Sequence, residues 1–379
     1  MSVVAERLRR GRPARRELYD VTITGTGSFL PGDPLDNATL ERLAGPVPAD
    51  VLSEIQVLTR HWMIDPATGA HRYSTSEMAE RATRQALQRA GVDIGDVDLL
   101  VVSTASPEHP LPATVTSLQA RLGLPRAATM ELRSGCAGAV QAMDLARRYL
   151  EDGTHRTAVV VGSESISPLF APLFVGIDPA RVRLRDRMNI FTFGDGAGAV
   201  VLQGGEPNRE DGAGVMGSSN ACLGGDRSPG MQIVGSGTDA PIADQLRRKR
   251  MVDLKVDLVQ SAEFGPRMFV TALRDLLSSS GLTLDDVDVC VVPEGNAGYF
   301  SSELERSGMT RDEYTRLQPT IVENLAAVGA TGSAAVPVAL DDGWVRGRIR
   351  PGDNVLLLGI EASRWIAAGL ALTWTAAGP

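Results

Sequence analysis

Residues 97–102 read VDLLVV and residues 287–292 read VDVCVV, 190 residues further on. Each run follows a short acidic turn, Asp93-Ile-Gly-Asp96 or Thr283-Leu-Asp-Asp286, and each turn follows a helix-like segment ending at Gly91 or Gly281. Glycine there reads as the left-handed closure of a helix. Apolar runs of this length after a turn read as strands buried on both faces of a parallel sheet. The pattern continues outward. Residues 157–164 (TAVVVGSE) resemble 354–361 (NVLLLGIE) at an offset of 197, and 135–150 (GCAGAVQAMDLARRYL) resemble 329–344 (GATGSAAVPVALDDGW) at 194. Three matches in one order read as a duplication whose loops have drifted in length. The expected plan is a flexible extension at 1–19, an α/β half at 20–205 and a second at 212–376. The Gly- and charge-rich stretch 204–213 (GGEPNREDGA) marks the boundary. Strand–helix alternation predicts mostly parallel sheets covered by helices.

The 379 residues are 43% hydrophobic and 22% charged, which excludes disordered, collagenous and disulfide-scaffold classes. Three cysteines make no disulfide framework, so a reducing cytoplasm is the expected location. No apolar run reaches membrane-spanning length. The N-terminal MSVVAERLRRGRPARRELYD lacks the apolar stretch of a signal peptide. A net charge of −8 argues against bulk nucleic-acid binding. Cys/His spacing suggests no metal site.

The chemistry concentrates at Cys136, within Glu131-Leu-Arg-Ser-Gly-Cys-Ala-Gly-Ala139. Small residues crowd the sulfur and a helix begins there. A helix N-terminus favours the thiolate, and its free N–H groups suit an oxyanion. The plainer alternative is a cysteine used as a small core residue. Cys290, inside an apolar strand, reads as core.

On these residues and on Phe193-Gly-Asp-Gly-Ala-Gly-Ala-Val-Val201, the chain resembles the ketoacyl synthase III branch of the thiolase superfamily. Ser76-Glu-Met-Ala79, Thr59-Arg60 and the C-terminal AGLALTW (368–374) add to the resemblance. It implies a duplicated, five-layered αβαβα thiolase fold and a homodimer. It also implies transfer of an acyl group through a thioester on Cys136, from acyl-CoA or an acyl carrier protein, with no tightly bound cofactor. By the same resemblance Arg60 contacts the CoA nucleotide and Arg267 the carrier protein. Ala330 and Gly359 fall in the substrate-binding set, and the pseudo-symmetry of the halves brings Glu108 to the same cleft or to the partner subunit's.

The departures are sharper than the matches. The family carries a Cys-His-Asn set, its histidine in a segment like Pro-His-Gln-Ala-Asn. This chain reads Pro293-Glu-Gly-Asn-Ala297, which puts Glu294 in the histidine position. Ala330 stands where the family has the asparagine of Gly-Asn-Thr. The four histidines, His61, His71, His109 and His155, all lie in the first half. In the family, His and Asn donate to the thioester oxygen as a malonyl group loses CO2. An ionised glutamate cannot donate and repels both the malonyl carboxylate and the enolate. It does suit a general base, particularly where burial raises its pKa. The expected function is therefore acyl transfer from Cys136 to a hydroxyl or carbon nucleophile without decarboxylation. Polyketide or antibiotic assembly is the setting, with ring closure such as tetronate formation as one form. The alternatives are a starter-unit ketosynthase that still decarboxylates, with His109 as a substitute donor, and an inactive partner subunit of a heterodimer.

Other groups have two readings each. Glu294 is a base or a surface carboxylate, and Asn296 its orienting partner. His109 approaches the cleft or is a turn residue between prolines. Arg247-Arg248-Lys249-Arg250, the densest basic run, docks an acidic carrier protein or lines a solvated helix. Asp195 reads as a turn-fixing scaffold residue.

Overall fold

Both apolar runs form central strands because their side chains have a core on either face. The computed structural model describes residues 18–207, 214–235, 237–248, 250–293 and 301–379. Most of the expected extension and of the expected boundary lies outside them, and the first strand already begins at Tyr19. The strands are β1 (Tyr19–Phe29), β2 (Leu35–Asp36), β3 (Thr59–Arg60), β4 (Leu99–Ser103), β5 (Ala128–Leu132), β6 (Thr157–Glu164) and β7 (Gly196–Pro207). They continue as β8 (Gly214–Cys222), β9 (Met231–Val234), β10 (Asp253–Val256), β11 (Val289–Val291), β12 (Ile321–Val322), β13 (Asn354–Glu361) and β14 (Ile366–Thr373).

Two five-stranded sheets repeat one order, β1-β7-β6-β4-β5 and β8-β14-β13-β11-β12. In each, three strands run parallel (β6, β4, β5; β13, β11, β12). The other two are added antiparallel (β7 then β1; β14 then β8). The expectation of mostly parallel sheets is thus corrected, since half the pairings in each sheet are antiparallel. Between β13 and β14 the reason is the short connection 362–365, which can join only antiparallel neighbours.

Side-chain alternation sets the layers. In β4, Leu99 and Val101 face a core shared with Val140, Met143, Val336, Leu340, Val355 and Leu357, while Leu100 and Val102 face Met78, Ala82 and Leu118. In β13, Leu356 and Leu358 turn the other way, onto Met268, Leu273 and Leu276. The layers are therefore helices Thr75–Ala90 and Thr114–Leu122, the first sheet, helices Gly138–Glu151 and Ala335–Val345, the second sheet, and helix Leu258–Ser280. These are the expected five layers of an α/β sandwich. Helix Thr75–Ala90 starts at a Ser74/Glu77 capping box and stops at Gly91, whose φ of +63° only glycine takes without strain.

One register of duplication holds across the middle of the molecule. The 3-10 turn Gly135–Ala137 matches Gly332–Ala334, and Glu164 at the end of β6 matches Glu361 at the end of β13, both at 197 residues. The match of residue 135 with 329 at 194 is corrected accordingly. GCAG and GATG look alike in letters, but the second half makes its turn three residues later.

Candidate active site

Cys136 lies in the 3-10 turn Gly135–Ala137, which runs straight into helix Gly138–Glu151. It is 8% exposed and none of the three cysteines is in a disulfide. The small residues around it are each required by a neighbour. Gly135 has φ of +46°, and a Cβ there would lie 2.8 Å from Glu361 Cγ. A Cβ on Gly138 would lie 2.0 Å from Ser103 Oγ, and one on Gly359 2.8 Å from Ala137 Cα and 3.0 Å from the Cys136 carbonyl oxygen. Gly359, expected among substrate contacts, is where β13 passes close beneath the cysteine turn.

The matching turn of the second half meets it directly. Ser333 holds the position that Cys136 holds in the first half, and it is fully buried. Its hydroxyl donates to the Gly135 carbonyl at 3.0 Å and accepts from Ser103 Oγ at 3.2 Å. Its N–H donates to the Glu164 carboxylate at 3.0 Å. Glu164 also accepts from Ala105 N, Ser106 N and Ser106 Oγ at 2.9, 2.8 and 2.5 Å. Glu361 accepts from Ser363 N and Arg364 N at 2.5 and 3.2 Å. Burial pushes both glutamates above the usual carboxylate range, against the donors aimed at them. Each half thus places a buried glutamate against the other half's turn glycine. Sequence reasoning missed this pair, although both close the strand motifs 157–164 and 354–361.

Ala330 is 7% exposed, and its backbone pairs with Thr192 O and Gly194 N in a bridge beside Phe193. Its methyl offers no hydrogen bond. The next hydroxyl, on Thr331, is buried and has no partner among the described residues. Glu294 and Asn296 lie outside the described residues. The strand that leads to them, β11, is parallel to β13, so Pro293 leaves the sheet at the same edge as Glu361.

The remaining expected site residues are dispersed. Arg60 is corrected. It is 0% exposed, and its guanidinium donates to Leu35 O, Asn37 Oδ1 and Phe191 O at 2.9, 2.7 and 2.7 Å. Burial pulls it down to about 10, still charged near neutrality. It ties loops together, and at full burial its guanidinium does not reach a nucleotide at the surface. Glu108 accepts from Ser76 N at 2.7 Å and so satisfies the first turn of helix Thr75–Ala90. Burial alone would raise its pKa, but those hydrogen bonds bring it below the ordinary value. His109 is exposed on the following loop. The basic run is split. Arg247 and Arg248 are exposed, Lys249 is outside the described residues, and Arg250 folds back onto Asp186 and Asp253. Helix Ile242–Leu246 ends before the run, so the run is not a helix face. Arg267 is exposed on helix Leu258–Ser280 beside Phe264. Cys290 is buried in β11, where burial pushes its thiol up to about 12.

Asp195 is fully buried and accepts from Met63 N, Ile166 N and Ser167 N at 2.7, 2.6 and 2.9 Å, and from the Ser167 hydroxyl. Burial pushes its carboxyl up to about 6. Among the described residues no helix is long and apolar enough to cross a membrane, and no group of His, Cys, Asp and Glu is placed to hold a metal.

A family model described as 3-oxoacyl-(acyl-carrier-protein) synthase III matches residues 130–224, and its C-terminal counterpart matches 277–377. The chain belongs to the ketoacyl synthase III family. A synthase III of Symbiobacterium thermophilum is 30% identical over 358 residues, covering 94% of this chain and 99% of the relative. That of Caldanaerobacter subterraneus subsp. tengcongensis is 28% identical, covering 93% and 95%. Among solved structures, AbyA1, described as a tetronic acid condensing enzyme, is 30% identical, covers 93% of this chain and 99% of its own, and superposes with a TM-score of 0.75. The priming β-ketosynthase of the R1128 polyketide pathway shares the fold, with 24% identity and a TM-score of 0.74. As a ketoacyl synthase III the chain is a transferase of the condensing class, built on the thiolase fold.

Proposed function

We propose that this ketoacyl synthase III carries an acyl group on Cys136 and passes it to a hydroxyl or carbon nucleophile without decarboxylating a malonyl partner. The observation that carries the reading is the replacement of both enolate-stabilising donors. Ala330 presents a methyl where the family has asparagine, and no histidine occurs after His155. The acyl group arrives from acyl-CoA or an acyl carrier protein. Cys136 sulfur attacks the thioester carbonyl, the donor leaves as its thiol, and a Cys136 thioester remains. The helix N-terminus at Gly138 faces the charge that develops there. Glu294 takes the proton of the acceptor, which attacks the Cys136 thioester and releases the cysteine thiol. Asn296 orients Glu294. The likeness to a tetronic acid condensing enzyme favours a ring-forming acceptor in antibiotic or polyketide assembly.

The test is intact-mass measurement after exposure to a panel of acyl-CoA and acyl-carrier thioesters, with Cys136→Ala alongside. An adduct that disappears in the variant, together with no CO2 release from malonyl-carrier, is expected. Glu294→Gln should keep the adduct and lose turnover to the acceptor. Stoichiometric CO2 release from malonyl-carrier would overturn the reading in favour of a starter-unit ketosynthase. Absence of any adduct would favour an inactive partner subunit.

A further inference from the structure

The strand motifs TAVVVGSE and NVLLLGIE each end on Gly-x-Glu, at 162–164 and 359–361. Side chains alternate between the faces of a sheet, so the glycine and the glutamate of each motif share one face. On β13 this is the face that Val355 and Leu357 turn to the middle helices. The cysteine turn lies along that end of the strand in reverse order. Ala137 and the Cys136 carbonyl sit over Gly359, where a Cβ would come within 2.8 Å of Ala137 Cα and 3.0 Å of the oxygen. Gly135 sits against Glu361, where its own Cβ would come within 2.8 Å of Glu361 Cγ and 3.1 Å of Oε1. The glycine thus leaves a recess, and the glutamate two residues on stands beside the turn. β6 repeats the arrangement. A Cβ on Gly162 would lie 1.9 Å from the Ser333 carbonyl oxygen, and one on Gly332 would lie 2.6 Å from Glu164 Oε2. Each half's Gly-x-Glu therefore cradles the other half's turn, and the cradle on β13 is the one that holds the cysteine.

A glutamate suits this place because its tip can be anchored. Glu361 is fully buried, and both oxygens are held, Oε1 by Ser363 N at 2.5 Å and Oε2 by Arg364 N at 3.2 Å. Those donors belong to the connection 362–365, which is itself fixed at its far end. Trp365 takes φ of +61°, is fully buried, and donates its indole N–H to Ser228 O at 3.0 Å. Pinning the tip locks the rotamer of the whole side chain, which is what a support for a reacting group requires. We propose that Glu361 is a positioning residue for Cys136, and that the Gly359–Glu361 cradle sets the place of the sulfur at the N-terminus of helix Gly138–Glu151. The assignment rests on the reading that Cys136 carries the acyl group. Glu361 acts through Gly135, so it governs the rate of sulfur attack and leaves donor binding alone.

The test is a double-mutant cycle on the full chain with Glu361→Ala and Gly135→Ala. Glu361→Ala removes the three atoms nearest to the Cβ that Gly135→Ala adds. Asp341→Asn, at a buried acid bonded to Thr26, Ser28 and Arg89, is the control for destabilisation. Melting curves set a temperature at which all variants are folded. Acylation by an N-acetylcysteamine thioester, followed by intact mass, gives the maximal rate and the half-saturating concentration. Each single variant should lower the maximal rate about tenfold or more with half-saturation unchanged, and Asp341→Asn should change neither. The double variant should be no slower than the slower single one, because the added methyl enters the space that Glu361 vacates. A wild-type rate in Glu361→Ala, or losses that multiply in the double variant, would overturn the assignment. So would a loss that shows only as weaker saturation. If Glu361→Ala does not fold, Gly135→Ala presses the same contact from the other side, and a wild-type rate in it overturns the cradle. Alkylation of Cys136 by iodoacetamide is read in parallel and needs no acyl chemistry. A protein that takes no acyl group, yet loses about threefold or more of its alkylation rate in both single variants, would sink the acyl-transfer reading and leave the positioning of the cysteine standing.

Discussion

Replacing Gly359 by alanine isolates the contact between β13 and the cysteine turn. The added Cβ would sit 2.8 Å from Ala137 Cα and 3.0 Å from the Cys136 carbonyl oxygen, where ordinary contacts begin near 3.4 Å. The turn must therefore retreat by 0.6 Å or more from Cα and 0.4 Å from the oxygen. Retreat is resisted by the second half's turn, whose Ser333 hydroxyl holds the Gly135 carbonyl at 3.0 Å. Overpacking a buried site of this kind costs about 1–3 kcal/mol. A displacement approaching 1 Å at a reacting group costs on the order of 100-fold in rate, so a tenfold or greater fall in Cys136 acylation rate is expected. Intact-mass time courses with a reactive thioester read the rate, and thermal melts read the stability. Gly95→Ala is the control, because nothing lies within 4 Å of its Cβ. Wild-type acylation and melting in Gly359→Ala would refute the argument that this close approach positions the turn.

Three further perturbations follow from the same geometry. Arg60→Met should destabilise the protein by about 1–3 kcal/mol, because it leaves the buried Phe191 carbonyl and the half-buried Leu35 carbonyl without this donor. An unchanged melting temperature would return Arg60 to the substrate-binding set. Asp195→Asn changes the pH dependence of stability. The native carboxyl, raised to about 6, keeps its proton between pH 4 and 6 where the unfolded chain has lost it. The wild type therefore loses stability across that window, by about 3 kcal/mol. The asparagine variant should lack this slope, so its stability relative to wild type should improve from pH 4 to pH 7, read by denaturant unfolding at each pH. Asp341→Ala removes the acceptor of Thr26, Ser28 and Arg89, which bond it at 2.7, 2.6 and 2.6 Å from the first half. Several kcal/mol of destabilisation is expected from stranding Arg89, and an unshifted denaturant midpoint would contradict it.

Element types were legible in the chain because local physics encodes them. A strand buried on both faces is mostly apolar, so the apolar residues after Asp98 and Asp288 announce β4 and β11 without any neighbour in view. The helix stops at Gly91 and Gly281 are equally local, since a left-handed residue is needed there and glycine supplies it. Cys136 stood out for the same reason, as small residues at a helix start leave a visible mark. Which residues meet is set by sequence-distant partners. Ser333 and Gly135 are 198 positions apart, and nothing near Ser333 signals that it will hold the cysteine turn. Arg60 illustrates the limit from the other side. Its motif pointed to a ligand, but the folded chain brings Leu35, Asn37 and Phe191 around it and buries it completely. The antiparallel outer strands and the one-register duplication are likewise products of chain reversal and packing, which apolar periodicity does not encode. Local pattern in the chain specifies the duplicated α/β plan and marks the small-residue turn that carries Cys136. Tertiary contact alone decided that two buried glutamates, two turns and one serine are brought together around it.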